Sequence, residues 1–345
     1  MLIFAAPPLF FTIEPATAGR LWSARSTFDM PALKLTHPIT FQPIFMERVW
    51  GGRRLESLFG KRLPPAVLIG ESWEIVDRPE AQSVVHEGPL RGKTLHQLWT
   101  KHRQQIFGNV PDSSGFPLLI KLLDAQQKLS VQVHPPATVA KELGGEPKTE
   151  FWYIADAGPG AELFVGLKKD ATRNGFEKAL KKGNAQELLH RISTKAGDSM
   201  FLPSGRVHAI GEGNVMVEIQ QNSDTTYRVF DWNRPSEGKK PRELHIEQSM
   251  KSIDFEDYEP RLVEPSDDVL IKNPLFEVQK WEFDSAREGA PLGKFAIFTC
   301  LSGEVECSGQ QFKPGDFFLL PAQLAQRELK PCAKSATVLR TMIPG

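Results

Sequence analysis

Two histidines in this sequence lie in short apolar segments that are typical of β-strands. His134 ends the segment KLSVQVHP, and His208 lies in PSGRVHAIG, directly after a turn signal. Because side chains alternate along a strand, Ser130, Gln132 and His134 share one face, and two valines share the other. A polar face of this kind is unusual in a plain core strand. The segment therefore predicts a buried site with a chemical role.

Two further segments add carboxylates by the same alternation. Lys148 and Glu150 share a face in PKTEFWYI, Glu218 lies between apolar neighbours in VMVEIQQ, and Arg228 follows in TTYRVFDW. Two histidines and one glutamate that converge from separate strands form a good divalent-metal site, and Gln132 can add a carbonyl oxygen. Such a set suits zinc and also ferrous iron, and it favours polarisation of a carbonyl or hydroxyl group.

Each of these residues also has an ordinary structural explanation. A single inward histidine is usually a hydrogen-bonded core residue, and Glu150 alone is usually a surface or ion-paired carboxylate. Glu218 could lie on the solvated face of an edge strand, and Arg228 could pair with Asp224 or Asp231. The joint pattern favours a site, because several polar residues in an apolar context would each cost free energy without a partner.

Length and composition exclude several classes of protein. The chain has 345 residues, with 42 Lys plus Arg and 42 Asp plus Glu, so no global field attracts nucleic acid or an anionic membrane. No apolar run reaches the ~18 residues that span a bilayer. Cys300, Cys307 and Cys332 form no CxxC pair, which favours a reducing compartment over a disulfide framework. We expect a cytoplasmic monomer or homodimer without nucleic-acid or membrane partners.

The order of elements predicts three parts of the chain. Residues 1–35 are expected to be a poorly ordered extension, with an export signal as the alternative. Residues 36–262 are expected to form short strands with helical segments at about 94–107, which starts with a Thr94/Gln97 capping box, and at 174–192, interpreted as two short helices in tandem. Residues 270–345 are expected to form strands only.

One sequence element occurs twice. GDSMFLP at Gly197 and GDFFLLP at Gly315 are both turns that lead into a strand ended by proline. Such a repeat in a strand-rich chain indicates two similar antiparallel barrels. Four residues separate the proline from His208 in the first copy and from Gln326 in the second.

Several motifs together resemble the type I mannose-6-phosphate isomerases of the cupin superfamily. From about residue 41 to residue 234 they are VWGG, GESWEI, QKLSVQVHPP, KTEFWYIADA, GDSMFLPSGRVHAIGEG and EIQQNSDTTYRVFDWNR, the last in a form similar to the shorter bacterial branch. PSGRVHAIG also fits the second cupin motif. The resemblance implies a mainly β fold of two jelly-roll-like cupin barrels with a small helical insertion. The second barrel, in which Gln326 replaces the cupin histidine, is expected to bind no metal.

The resemblance also implies an enzyme and its site. The activity is that of an aldose–ketose isomerase, an intramolecular oxidoreductase that interconverts mannose 6-phosphate and fructose 6-phosphate through a cis-enediol. One zinc ion per chain is implied. The implied residues are, for the metal, Gln132, His134, Glu150 and His208; for catalysis, Arg228, Glu218 and Lys148; and for substrate binding, Ser130, Lys121 and Arg234.

Three alternatives remain open from the sequence. The same site could isomerise a related sugar, or the protein could be a non-catalytic sugar-binding or regulatory cupin. Arg228, Glu218 and Lys148 beside the ligand set argue against the second alternative. An iron cupin dioxygenase is the third, and the Gln132 ligand with its neighbouring cations argues against it.

Overall fold

β-Strands dominate the residues that this computed structural model describes, 33–234 and 242–344. This confirms the mainly β prediction. Most of the extension expected at 1–35, with its export-signal alternative, lies outside the described residues. The strands are β1 (Ile44–Gly52), β2 (Ile69–Ile75), β3 (Asp77–Arg78), β4 (Ala81–Gln82), β5 (Leu118–Ala125), β6 (Val131–Val133), β7 (Glu150–Ala157), β8 (Glu162–Leu167), β9 (Leu189–Ser193), β10 (Ser199–Leu202), β11 (His208–Ile210), β12 (Asn214–Gln221), β13 (Tyr227–Phe230), β14 (Val269–Lys272), β15 (Glu277–Phe283), β16 (Arg287–Glu288), β17 (Ala296–Ser302), β18 (Val305–Cys307), β19 (Gln310–Phe312), β20 (Phe317–Leu320), β21 (Glu328–Pro331) and β22 (Ala336–Met342).

The helices are short, and none of those in the described ranges is long and apolar enough to cross a membrane. The predicted capping box is confirmed: the Thr94 hydroxyl accepts from the Gln97 amide, and the Gln97 side chain accepts from the Thr94 amide. The helices are α1 (Arg54–Phe59), α2 (Leu95–Lys101), α3 (Arg103–Ile106), α4 (Ala137–Ala140), α5 (Arg173–Lys182), a 3-10 helix (Ala185–Leu188) and α6 (Ile246–Ser252).

The prediction of two tandem helices over 174–192 is wrong in its second half. Helix α5 ends at Gly183, whose φ of +73° breaks the helix. Asn184 then supports a single 3-10 turn through a 2.9 Å hydrogen bond to Glu187. The chain continues as β9, because Leu189 and Ile192 pair with β8 in the sheet. Pairing with a neighbouring strand therefore overrides the local helix signal.

Two antiparallel sheets form the first half of the molecule. One has the strand order β1-β2-β5-β12-β7-β10, and the other has the order β13-β6-β11-β8-β9. Their facing sides share an apolar core that includes Trp152 and Met216 from the first sheet and Val165 and Ile210 from the second. The outer face of the second sheet is covered as well, because Val131 packs in one cluster with residues of α5 and α6.

The second half repeats this arrangement. Its sheets have the orders β14-β15-β22-β17-β20 and β16-β21-β18-β19, and residues from both contribute to one core. Each half is a pair of facing antiparallel sheets, and no sheet within the described residues closes on itself. Two closed barrels are therefore not confirmed. The domain limits at 262 and 270 stay a prediction.

The repeated sequence element folds the same way in both halves. Gly197 and Gly315 have φ of +95° and +86°, and the aspartate after each accepts a 2.9 Å hydrogen bond from a lysine amide three residues upstream. The strands that follow, β10 and β20, lie at corresponding edges of their sheets. The element thus forms the same turn and the same edge strand in both halves.

Candidate active site

His134, Glu150 and His208 meet between the two sheets of the first half. Their ligand atoms all lie within 4.8 Å of one another. His134 directly follows β6, Glu150 begins β7 and His208 begins β11, so three strands position the set. All three residues are at most 2% exposed. The structure therefore brings together the two histidines and the glutamate that the sequence singles out.

Gln132 lies next to this cluster in the second sheet. It is the cross-strand neighbour of His208 on one side and of Arg228 on the other. Its Nε2 atom lies 3.2 Å from the Nε2 atom of His208. The oxygen and nitrogen of a glutamine amide are interchangeable by a flip, so the Gln132 carbonyl oxygen can face the same space.

Hydrogen bonds to backbone carbonyls involve the Nδ1 atom of each imidazole, so that the Nε2 atoms face the cluster. The Nδ1 atom of His134 lies 2.8 Å from the Thr225 carbonyl oxygen, and that of His208 lies 2.9 Å from the Arg206 carbonyl oxygen. A carbonyl accepts only from a protonated nitrogen, so Nδ1 carries the proton and Nε2 keeps its lone pair. Both rings are thereby held in a ligating tautomer.

The Glu150 carboxylate lacks hydrogen bonds although it is buried. Lys148 Nζ lies 2.7 Å from its Oε1 atom, an ion-pair distance, but neither carboxylate oxygen makes a hydrogen bond of acceptable geometry. Lys148 partly neutralises this buried carboxylate, and a metal cation would satisfy the oxygen lone pairs that lack a hydrogen bond. With two ligating imidazoles beside it, the donor set fits a divalent metal ion.

The protonation states agree with this fit. Burial lowers the pKa of His208 to about 3 and also lowers the pKa of His134, so both rings are neutral at pH 7. Burial opposes ionisation of Glu150, but the ammonium of Lys148 holds the pKa of this carboxyl well below its usual value. Neutral imidazole and ionised carboxylate are the forms that bind metals.

A cavity of about 450 Å³ opens beside the cluster. Six of the predicted site residues line it: Lys121, Ser130, Gln132, Lys148, Glu218 and Arg228. Arg234 does not, since its guanidinium donates to the Lys128 carbonyl. The cavity also has polar lining residues that the sequence reasoning missed, namely Arg48, Glu71, Asp224 and Arg242.

Lys121 and two carboxylates form the floor of this cavity. Lys121 Nζ lies 3.1 Å from Glu218 Oε1 and 3.6 Å from Glu71 Oε2. Indole N–H groups fix both carboxylates, because Trp152 donates to Glu218 at 2.9 Å and Trp73 donates to Glu71 at 2.6 Å. The charged groups are therefore held in place by donors on neighbouring strands.

The two carboxylates differ in acidity. Burial opposes ionisation of Glu71, but Lys121 and Arg48 lower its pKa to about 2. Burial and the nearby charge of Glu150 raise the pKa of Glu218 above its usual value. Glu71 is thus held ionised, whereas Glu218 ionises less readily than an exposed glutamate.

Two glycines explain why the motifs VWGG and GESWEI occur here. A side chain on Gly51 would collide with the backbone of Gly70, and one on Gly70 would lie 2.6 Å from the Arg48 Cβ atom. Strand β1 therefore approaches β2 closely, with a break in register between Glu47 and Gly52. This approach places Arg48 and Trp50 at the wall of the cavity.

Arg228 reaches the cavity from β13. Its Nε atom donates to the Ser130 hydroxyl at 3.3 Å, and its Nη1 atom donates to the Glu243 carbonyl at 2.9 Å. Among residues 33–234 and 242–344, no carboxylate lies within ion-pair distance of it, so pairing with Asp224 or Asp231 is not observed. Its positive charge is therefore available to a ligand.

Comparisons with known proteins agree with this geometry. Residues 39–179 match the family model of the type I phosphomannose isomerase catalytic domain. The chain is 39% identical over 312 residues to mannose-6-phosphate isomerase ManA of Bacillus subtilis, covering 87% of this chain and 98% of that protein. The chain belongs to the type I phosphomannose isomerase family.

Solved structures of isomerases of this family share the fold. The crystal structure of the mannose 6-phosphate isomerase from Bacillus subtilis superposes with a TM-score of 0.78 at 34% identity, covering 89% of this chain and all of that one. A mannose 6-phosphate isomerase bound with zinc and yttrium has a TM-score of 0.67 at 17% identity, covering 90% of this chain and all of that one, which shows likeness of fold alone.

Proposed function

We propose that this protein is a metal-dependent aldose–ketose isomerase that interconverts mannose 6-phosphate and fructose 6-phosphate through a cis-enediol. The observation that carries the proposal is the buried His134–Glu150–His208 cluster beside a cavity lined by Arg228, an arginine without a carboxylate partner among the described residues. The 39% identity to a mannose-6-phosphate isomerase supports the choice of substrate.

The metal is proposed to be one zinc ion per chain. Gln132, His134, Glu150 and His208 would hold it, since nitrogen and carboxylate donors suit zinc. When bound, the ion supplies Lewis-acid polarisation of a sugar oxygen. Gln326, at the corresponding place in the second half, is exposed, and the described residues contain no second group of this kind.

The chemistry moves a proton between C1 and C2 of the open-chain sugar. A C–H proton beside a carbonyl is weakly acidic, so the developing enediolate needs positive charge nearby. Arg228 supplies it, because its guanidinium points into the cavity without a carboxylate partner in the described chain. The fixed position of this cation makes the stabilisation available without reorganisation.

Two cavity residues share ring opening and proton transfer. Glu218 lines the cavity, and its raised pKa is the direction of shift that suits a group which exchanges a proton with substrate. Lys148, 4% exposed and 2.7 Å from Glu150, can donate a proton to the ring oxygen. The hydroxyl of Ser130 and the ammonium of Lys121 contact the substrate. This assignment keeps every proton transfer inside the buried cavity.

An enzyme-linked assay of fructose 6-phosphate formation from mannose 6-phosphate tests the proposal. We expect activity in the purified protein, its loss after dialysis against a chelator, and its return when zinc is added. Activity that is absent, or that is indifferent to chelation, would reject this function. Oxygen uptake in the iron-loaded protein would instead support a dioxygenase.

A further inference from the structure

The cations of the cavity differ in how completely carboxylates neutralise them. Lys121 lies between Glu71 and Glu218, and Lys148 is paired with Glu150. Two arginines whose charges act on each other, Arg228 and Arg242, form another part of the cavity wall. Arg228 has no carboxylate within ion-pair distance among the described residues. Arg228 therefore attracts a ligand anion to this part of the wall, and Arg242, with one carboxylate partner, lines the same cavity.

Arg242 is fixed at this wall by a fork-shaped ion pair. Its Nε and Nη2 atoms contact the two oxygens of Asp231 at 2.9 and 2.5 Å. A guanidinium presents five N–H donors in one plane, so this pair holds the group without exhausting its donors. The side chain remains 30% exposed, and it lines the cavity. Arg242 is thus oriented and accessible.

The order of groups along the sheet separates Arg242 from the metal ligands. His208, Gln132 and Arg228 are successive cross-strand neighbours, with strands spaced ~4.8 Å apart. Asp231, which holds Arg242, follows the outermost of these strands. A substrate that reacts at the metal end would therefore extend past Arg228 toward Arg242.

The two arginines act on each other. Burial lowers the pKa of Arg228, and the positive charge of Arg242 lowers it further. Two like charges on one wall are unfavourable in the empty cavity, and an anion between or beside them relieves the repulsion. A phosphate monoester carries up to two negative charges and takes bidentate hydrogen bonds from arginine.

We propose that Arg242 binds the phosphate group of the substrate and so determines its preference for a phosphorylated sugar. This inference rests on the proposed function. It moves the main phosphate contact away from Lys121, which is 3% exposed and lies between two carboxylates, and from Arg234, which lies outside the cavity lining. Arg228 remains beside the reacting carbons, and Arg242 holds the far end of the molecule.

The test compares Arg242→Ala, Arg242→Gln and Arg242→Lys with the wild type. We expect the two neutral variants to raise KM for mannose 6-phosphate about 10- to 100-fold, with kcat changed less than about threefold, and Arg242→Lys to recover part of the loss. Inhibition by inorganic phosphate should weaken by a similar factor. An unchanged KM, or a fall in kcat alone, would overturn the proposal.

A matched control is Arg191→Ala. Arg191 makes a similar fork-shaped pair with Glu162, at 2.9 and 2.8 Å, and it does not line the cavity. Its kinetic constants should match the wild type. If all three Arg242 variants lose helical and sheet signal in circular dichroism, the role is structural and the proposal is wrong.

A binding measurement separates this inference from the proposed function. Inorganic phosphate should raise the melting temperature of the wild type and of Arg191→Ala, but not that of Arg242→Gln. If the wild type shows this stabilisation without isomerising mannose 6-phosphate, the proposed function fails and the phosphate site stands. If phosphate stabilises Arg242→Gln as much as the wild type, the site is wrong whatever the activity.

Discussion

The two halves of the molecule share an architecture and differ in what fills it. In the first half, Glu150 pairs with Leu202, directly before the proline that ends the repeated element. In the second half, Ala296 pairs with Leu320 at the same place. The position that carries a buried carboxylate in one half therefore carries a methyl group in the other.

The residues two positions further along these strands also differ in polarity between the halves. Trp152 pairs with Met200 and donates a hydrogen bond to Glu218, whereas Phe298 pairs with Phe318 and stacks on it at 5.1 Å. The first interior is organised around charges, which cost free energy unless they are partnered. The second is organised around aromatic rings, whose burial is directly favourable. The same strand frame thus supports a site in one half and a stabilising core in the other.

The largest expected effect is the loss of His208. We expect His208→Ala to release the metal and to lower isomerase activity about 1000-fold or more, because one ligand of a buried cation is gone. Gln326→Ala, at the corresponding place in the second half, should leave metal content and kcat unchanged. Zinc analysis and kinetics check both. A metal content that falls only in Gln326→Ala would reverse our assignment of the halves.

Next in size is the removal of a ring from the second core. Phe298 is fully buried and stacks with Phe318, so Phe298→Ala should lower the free energy of unfolding by about 3–5 kcal/mol. Below its melting temperature the variant should keep its KM for mannose 6-phosphate. Urea unfolding and kinetics provide the measurement. A large change in KM with unchanged stability would mean that the substrate site lies in the second half, contrary to our assignment.

Two arginines give a matched comparison of somewhat smaller effect. Arg228→Ala should lower kcat about 100- to 1000-fold while zinc content stays constant, since the enediolate loses its cation. Arg340, in β22, packs over the ring of Trp281 at 4.8 Å. Arg340→Ala should lower the melting temperature and leave kcat intact. Isomerisation by Arg228→Ala within a few-fold of wild type would contradict the electrostatic role.

The smallest effect concerns acid stability. The folded-state pKa of Glu71, about 2, lies below its usual value of 4.5, so the ion pair stabilises the protein above pH 4.5 and is lost as the pH falls toward 2. Glu71→Gln should lower the free energy of unfolding by about 3 kcal/mol at pH 7. The difference in this free energy between the variant and the wild type should narrow between pH 4.5 and pH 3. Urea unfolding at pH 7, 4 and 3 measures it. A gap that stays constant would show that no ion pair contributes.

Strand alternation makes the central cluster predictable from sequence. Because neighbours two apart share a face, the sequence alone assigns Lys148 and Glu150 to one face where β7 begins, and Gln132 and His134 to one face where β6 ends. The Gly-Asp turns at 197 and 315 are predictable for a related reason. Each turn depends only on neighbouring residues, and its first residue has a positive φ, which favours glycine.

Residues that reach the cavity from distant segments are not predictable in this way. Arg242 lies 11 residues after Asp231 in the chain, and the ion pair between the two side chains fixes it at the cavity wall. Glu71 lies in β2, a strand whose residues are all buried, so alternation gives no signal for its face. Arg234 is the last residue of the motif EIQQNSDTTYRVFDWNR, but its guanidinium donates to the Lys128 carbonyl. Such placements depend on tertiary pairing rather than on local spacing.

The most direct test of the account is a crystal of the zinc-loaded protein measured with anomalous scattering at the zinc edge. We predict one peak per chain, about 2.0–2.2 Å from His134 Nε2, His208 Nε2 and a Glu150 oxygen. The second half should show no peak near Gln326. A zinc peak elsewhere in the molecule, or none between these three side chains, would contradict the account.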